Sequence, residues 1–188
     1  ETADRREIEE LGHRIIANFT GLIYMAPLSL SIATLVLVGQ AHGARDGARV
    51  RATVRVALAL AAGQALLTGL LLWLAQGPLL APWTQDPAVL AIASGLVAYL
   101  CVYQFFDGLQ TVLGHALRGL KITLLPMALH ALCFWGVGLA GGHWLSFQAG
   151  ARAAHPSVAG FWEACVLATL LATLALGLLL RQALKTRP

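Results

Sequence analysis

Residues 56–85 read VALALAAGQALLTGLLLWLAQGPLLAPWTQ, a stretch of thirty residues without a charged side chain. A helix needs about 20 mostly apolar residues to cross the hydrocarbon core of a bilayer. The strands of a membrane β-barrel would instead alternate apolar and polar residues over about ten positions. Because this stretch is continuously apolar and rich in Leu and Ala, it predicts a transmembrane helix.

Four more uncharged runs accompany it, at residues 15–44, 87–106, 122–151 and 164–180. With 58% hydrophobic and only 12% charged residues, the chain is too apolar for an ordinary soluble domain. We therefore expect an all-α, polytopic transmembrane helix bundle of about five spans within residues 11–182. The predicted spans are 11–43, 50–80, 87–119, 122–147 and 158–180, with a polar leader at 1–10 and a cytoplasmic tail at 183–188.

The distribution of basic residues predicts how the bundle is oriented. Nine of the thirteen Lys and Arg residues fall on one side of the alternating path, the side that carries the C-terminus. The positive-inside tendency places that side in the cytoplasm. Trp83, Trp144 and Trp162 fall near the opposite ends of their spans, where indole rings favour the membrane interface. The net charge of +4 is thereby explained by topology, and we expect no nucleic-acid partner.

Asp107 is the residue most informative about function, because it lies well inside the third apolar helix. An acid at the centre of a membrane helix costs about 2.5–3.5 kcal/mol, so such residues usually face a cavity and mark ion or proton pathways. Gln104 and Gln110 lie three residues to either side of Asp107, and Tyr103 and Thr111 lie four. This spacing predicts a polar helix face that lines a cavity and a cation- or proton-coupling role for Asp107. The alternative is an acid near the cytoplasmic helix end that water or an arginine neutralises.

Two histidines are candidate proton relays. His115 follows Asp107 by eight residues, which returns it to within about 80° of the same face. His130 is deeper in the fourth span, and an imidazole changes charge near neutral pH. The alternatives are an interfacial His115 and a neutral, hydrogen-bonded His130.

Pro27 predicts a kink in the first span, because proline cannot donate a backbone hydrogen bond inside a helix. Ser29 and Ser31 follow it, and small hydroxyl side chains can occupy the carbonyls that a membrane proline frees. We therefore expect these two serines to compensate for the proline.

The sequence contains no pattern that indicates a cofactor site or an enzyme active site. Cys101, Cys133 and Cys165 each fall inside a predicted span and form no pair at metal-ligand spacing, so they predict neither a metal site nor a disulfide. No hydrolase elbow, phosphate loop, zinc-protease helix or dinucleotide fingerprint is present in the sequence. We expect a membrane protein that is not an enzyme and binds no cofactor.

Several segments together resemble the multidrug and toxic compound extrusion (MATE) family of transporters, in its NorM-like branch. They are 13–19 (HRIIANF), 25–31 (MAPLSLS), 38–44 (VGQAHGA), 104–110 (QFFDGLQ), 116–123 (ALRGLKIT) and Pro126. Each segment is weak alone, but their order extends across nearly the whole chain. In one departure, the family often has an aspartate where this chain has Ile122.

The resemblance implies twelve helices in two six-helix lobes that exchange Na⁺ or H⁺ for cationic amphiphilic drugs across the bacterial inner membrane. The five spans would correspond to the last five helices of the second lobe. Asp107 would match the acidic residue of the family's tenth helix. The expected partners are cationic small molecules, the lipid bilayer, and an N-terminal lobe and seventh helix of the same protein that this sequence lacks.

The function expected from residues and resemblance is therefore part of a cation- or proton-coupled antiporter, with Na⁺ or H⁺ as coupling ion. Three alternatives stay open at this point. One is a small structural or interaction membrane protein, including a truncated product without transport. Another is a flippase for lipid-linked oligosaccharides, which the absence of cationic residues in the spans disfavours. The third is an intramembrane enzyme built on Asp107 and His115.

Overall fold

The structure is a computed structural model that describes residues 5–149 and 157–186. Within these ranges the chain is helical and contains no β-strand. The helices are α1 (Arg5–Gly43), α2 (Gly47–Leu74), α3 (Gln76–Leu80), α4 (Pro87–Gly119), α5 (Leu124–Ala131), a π-helical segment (Leu132–Gly141), α6 (Gly142–Phe147) and α7 (Ala159–Thr186).

Five stretches are long and apolar enough to cross a membrane, which confirms the predicted number of spans. They are Glu7–Gly43, Gly47–Leu74, Pro87–Gly119, Leu124–Phe147 and Ala159–Lys185. The fourth combines α5, the π segment and α6. Leu66, Leu70 and Leu74 on α2 are more than half exposed, as expected where lipid takes the place of water as solvent.

The predicted ends of several elements need correction. α1 begins at Arg5, so part of the predicted polar leader is helical, and the Arg14 guanidinium donates to Glu10 one turn earlier. α2 ends at Leu74 rather than near residue 80, because Pro78 has no N–H to donate to the Leu74 carbonyl. The chain resumes as the short α3. The last helix continues through most of the predicted tail, to Thr186.

α4 occupies the centre of the bundle and packs against α1, α2 and α7. Its start follows the capping pattern of the sequence, since the Asp86 carboxylate accepts from the Ala88 N–H at 2.8 Å and Pro87 opens the first turn. Leu100 and Leu117 of α4 are fully buried. This central position puts the polar residues of α4 inside the protein rather than against lipid.

The two ends of the bundle differ in charge. At one end the α1–α2 turn, the end of α4 and the end of α7 meet around His42, Arg45, Leu120 and Ala183. The basic residues of the side predicted to be cytoplasmic lie at this end in the described residues. The residues beyond Thr186, and Arg152 in the loop before α7, lie outside the described residues.

At the other end, Phe19 of α1 packs against Trp83, with their ring centroids 5.7 Å apart. Trp83 and Trp144 are about half exposed, at 46% and 55%, as membrane-interface anchors would be. Trp162 is 6% exposed and packs edge-on against His13 and Tyr103. Trp162 lies near the start of α7, as predicted, but its side chain packs inside the bundle rather than against lipid.

α1 is helical on both sides of Pro27, which is buried. The Ser29 hydroxyl donates to the Met25 carbonyl at 2.8 Å and the Ser31 hydroxyl to the Leu28 carbonyl at 2.7 Å. Neither reaches the Ile23 carbonyl, which is the one that Pro27 leaves without a helical donor. The expectation that the serines compensate for the proline is wrong, since a hydroxyl reaches only three or four residues back.

Candidate functional site

Asp107 lies at the centre of the candidate site, with 5% of its surface exposed. It faces a cavity of about 720 Å³ between α1, α4 and the fourth span. The residues that line this cavity, here called the Asp107 cavity, are Ala17, Thr20, Gly21, Tyr24, Leu28, Tyr103, Asp107, Gln110, Thr111, Gly114, His115, Arg118, His130 and Phe134. The small residues Ala17 and Gly21 on α1 leave room for the cavity, and the polar face of α4 forms another of its walls.

Gln110 and Tyr103 are neighbours of Asp107 on the same helix face. The Gln110 side-chain amide donates from Nε2 to Asp107 Oδ1 at 2.9 Å. Tyr103, one turn earlier, lines the same cavity. Positions three and four residues apart on a helix are neighbours on its surface, so the local sequence is enough to bring these groups together.

His130 joins this group from another helix. Its Nε2 hydrogen-bonds to Gln110 Oε1, and its Nδ1 lies 3.0 Å from the carbonyl oxygen of Pro126. The ring of Phe134 stacks on the His130 ring at a centroid distance of 6.0 Å. The Gln110 amide therefore bridges Asp107 on α4 and His130 on α5.

His115 has different surroundings, although it lines the same cavity. Its Nδ1 lies 2.9 Å from the Thr111 carbonyl oxygen, one turn earlier on α4. Its Nε2 lies 3.4 Å from Arg118 Nη1, and Arg118 is itself exposed. His115 thus contacts its own helix and a cation, while His130 contacts the amide bound to Asp107.

Most of the predicted cavity-lining residues come together here, but Gln104 does not. Tyr103, Gln110 and Thr111 line the Asp107 cavity, whereas Gln104 is buried outside it. Six residues of helix turn through about 600°, which leaves Gln104 and Gln110 about 120° apart around α4. Among the described residues, Gln104 Oε1 has no hydrogen-bond partner. The prediction that Gln104 lines the cavity is wrong for this geometric reason.

α1 also contributes polar residues to the Asp107 cavity. Thr20 and Tyr24 form part of its wall; Tyr24 was not predicted there, although its spacing of four residues from Thr20 could have indicated a shared polar face. Arg118 also lines the cavity, in keeping with the alternative in which an arginine lies near Asp107. Arg118 is in the last turn of α4, and its long side chain can extend back along the helix to the cavity.

The available ligands suit a monovalent cation or a proton. Asp107 offers a carboxylate, while Tyr103 and Thr111 offer hydroxyl oxygens on the same face. Hard cations prefer oxygen ligands of these kinds. In the part of the chain that the structure describes, no group of three His, Cys, Asp or Glu side chains could hold a metal ion.

A smaller aromatic cavity of about 180 Å³ adjoins the Asp107 cavity, with Ala17, Thr20 and Tyr103 common to both. Its wall includes His13, Phe161 and Trp162. A flat aromatic group would find apolar ring surfaces here, in a cavity that shares part of its wall with the Asp107 cavity.

Comparison with known proteins gives a consistent picture. The sequence profile of the MatE family matches residues 12–144. The chain is 59% identical over 170 residues to "Probable multidrug resistance protein NorM" of Aromatoleum aromaticum, covering 90% of this chain and 37% of that protein. It is 34% identical over 161 residues to "Multidrug resistance protein PmpM" of Pseudomonas aeruginosa, covering 82% of this chain and 32% of that protein.

The fold is similar to that of the eukaryotic MATE transporter AtDTX14. Its crystal structure superposes with a TM-score of 0.84 over 98% of this chain and 42% of that one, at 18% sequence identity. The chain thus spans less than half the length of each of these three proteins. The shared architecture covers almost all of the chain.

Proposed function

Because the chain belongs to the MatE family, we propose that it forms part of an antiporter that exports cationic amphiphilic compounds across the bacterial inner membrane in exchange for Na⁺ or H⁺. Asp107 is the group that binds the coupling ion. The observation that carries this proposal is a buried carboxylate that faces a cavity of about 720 Å³ in a membrane helix. Such a site holds one compensating charge at a time, so a proton, Na⁺ and an organic cation compete for it.

The aromatic cavity supports cationic amphiphiles as the substrate class. An organic cation near Asp107 can rest its apolar part on the rings of Tyr103, Phe161 and Trp162. A cation over an aromatic face gains about 0.5–2 kcal/mol, depending on how far it is desolvated. The buried Asp107 carboxylate in the cavity would repel a pyrophosphate, which favours export of cations over oligosaccharide flipping.

Alternating access requires one group of helices to move against another around a central site. In this proposal the chain supplies most of one lobe, and a second lobe and a further helix of the same protein supply the surfaces against which it moves. The similarity to proteins between two and three times as long supports this division. His115 and His130 belong to the same proposal as groups that exchange protons with the Asp107 cavity.

The first test replaces Asp107 by Asn in the transporter that contains this chain. Asp107→Asn keeps the size of the side chain but cannot take up a proton or hold Na⁺ by charge. We expect efflux of tetraphenylphosphonium from cells to be lost across a series of pH values and Na⁺ concentrations. Asp46→Asn is the matched control, because Asp46 is an exposed helix cap and Asn also caps helices well. Retained efflux in Asp107→Asn would contradict the coupling role.

A further inference from the structure

Asp107, Gln110 and His130 form a hydrogen-bonded series. The donor or acceptor role of each group fixes the role of the next. A primary amide has a donating end, its NH₂ group, and an accepting end, its oxygen. The Gln110 NH₂ group donates to Asp107, so the Gln110 oxygen faces His130. If the site at the Asp107 end comes to need the amide oxygen instead of the NH₂ group, the amide must turn over. The NH₂ group then faces the partner at the other end, which must accept a hydrogen bond.

The contacts of His130 indicate which form of the ring this arrangement accommodates. His130 Nε2 faces the Gln110 oxygen and Nδ1 faces the Pro126 carbonyl oxygen, and both oxygens only accept hydrogen bonds. The doubly protonated ring satisfies both contacts. At His115, Nδ1 faces a carbonyl oxygen but Nε2 faces the Arg118 guanidinium, which only donates, so a neutral ring fits there.

We propose that His130 is a positioning residue that couples the loading of Asp107 to the release of its own proton, through the orientation of the Gln110 amide. This inference rests on the proposed function, since it concerns regulation of the same site. In the empty state a carboxylate and an imidazolium lie at the two ends of the amide, and their charges compensate each other.

Loading with Na⁺ reverses the series. Hard cations prefer oxygen ligands, so Na⁺ at Asp107 draws the Gln110 oxygen toward itself and the amide turns. The NH₂ group then faces His130 Nε2, which must offer a lone pair, so the ring gives its Nε2 proton to solvent and keeps the Nδ1 proton on the Pro126 carbonyl. One Na⁺ arrives and one proton leaves.

Other titratable groups face the same cavity. Tyr24 comes from α1, and Tyr103, His115 and Arg118 come from α4. Arg118 is always charged, so its repulsion of a cation stays constant across the pH range used below. On the described part of α7, the titratable side chains Glu163, Cys165, Arg181 and Lys185 do not line this cavity. His115 is therefore the residue that the test must distinguish from His130.

The direct test is ¹⁵N NMR of the histidine rings in the transporter that contains this chain, with histidine labelled. The His130 signal is identified by its absence in His130→Gln or, if that variant does not fold, in His130→Asn. Without Na⁺ at neutral pH we expect an imidazolium signal in the wild type, and saturating Na⁺ converts it to the neutral form protonated at Nδ1. In Asp107→Asn the ring is neutral with and without Na⁺, and in Gln110→Ala it no longer responds to Na⁺.

Transport supplies the second readout. His130→Gln keeps an amide donor toward Gln110 but cannot titrate, so we expect the pH dependence of transport between about pH 5 and 8 to lose an inflection. A merely structural role of His130 would lower the rate equally at every pH. His143→Gln is the matched control, because His143 is exposed on α6 outside the cavity, and it keeps the wild-type profile.

Each contrary result has its own meaning. A His130 signal that does not respond to Na⁺, or one that still responds to Na⁺ in Gln110→Ala, overturns the coupling through the amide. If His115→Gln loses the inflection and His130→Gln keeps the wild-type pH profile, the inflection belongs to His115 and the proposal for His130 is wrong. If Asp107→Asn still exchanges cations, the proposed function itself fails, whereas loss of exchange with an unresponsive His130 refutes only this inference.

Discussion

Gly160, near the start of α7, lies where α6 and α7 approach each other closely. A Cβ atom added at Gly160 would lie 2.6 Å from both the backbone nitrogen and the hydroxyl oxygen of Ser146, and 2.7 Å from the Leu145 carbonyl carbon. Backbone atoms cannot move aside as a flexible side chain can. The short distance therefore requires glycine here, independently of its backbone angles.

Gly160→Ala should destabilise the protein by about 1–3 kcal/mol, the usual cost of an extra methyl group in a packed site. The measurement is the midpoint of thermal unfolding of the purified protein in detergent. Gly177→Ala on the same helix is the control, because its Cβ would lie 3.9 Å from Leu113 Cδ1, an ordinary contact. There we expect a gain of up to about 1 kcal/mol from the better helix propensity of Ala. Equal destabilisation by both variants would contradict the packing argument.

At the scale of the helix, Pro27 interrupts the hydrogen bonds of α1 beside the candidate site. It lies on the face that meets α4, where a Cβ on Gly108, the residue after Asp107, would come within 3.5 Å of Pro27 Cβ. The Ile23 carbonyl has no helical donor at this point. A helix weakened here can bend where it borders the Asp107 cavity, and the predicted kink stays a prediction.

Pro27→Ala restores the missing N–H and should slow exchange of tetraphenylphosphonium by reducing the bending of α1, while thermal stability stays equal or rises. Proteoliposome transport and thermal unfolding measure the two effects. Pro87→Ala is the control, because Pro87 is in the first turn of α4, where no helical hydrogen bond is missing. Unchanged exchange in Pro27→Ala would show that bending at this position does not limit transport.

The position of the fourth span could be predicted from the sequence, but the type of helix at its centre could not. The apolar run predicted a helix over residues 122–147, and the structure has one from Leu124 to Phe147. Its centre, Leu132–Gly141, is a π-helix, a conformation that is usually short and often found near functional sites. Hydropathy depends only on the composition of the run, so it cannot distinguish a π turn from an α turn.

At the scale of the whole molecule, the charge distribution predicts a cytoplasmic C-terminus. Cys101, Cys133 and Cys165 can be replaced by Ala, and single cysteines then introduced as Gln85→Cys or Lys185→Cys, both at exposed positions at opposite ends of the bundle. A membrane-impermeant maleimide should label Gln85→Cys on intact spheroplasts and Lys185→Cys only after the membrane is opened. The reverse pattern would invert the predicted topology.

The sequence by itself determined the class of fold and the number of spans, and it predicted a special environment for Asp107. Long uncharged runs have few stable solutions in lipid, because every backbone polar group must be paired within the helix. A carboxylate within such a run is costly enough to indicate a special environment without further data. These conclusions depend on local composition and on the bilayer, so they needed no tertiary contacts.

Only the tertiary structure decided which side chains share the site. Gln104 and Gln110 are equally distant from Asp107 along the chain, yet the packing of α4 turned one into the cavity and the other away from it. His130 follows Gln110 by twenty residues, and its contact with that amide depends on how the fourth span packs beside α4. Helical periodicity fixes angles around one helix but not the rotation of one helix against another, and that rotation is set by the packing of the whole bundle.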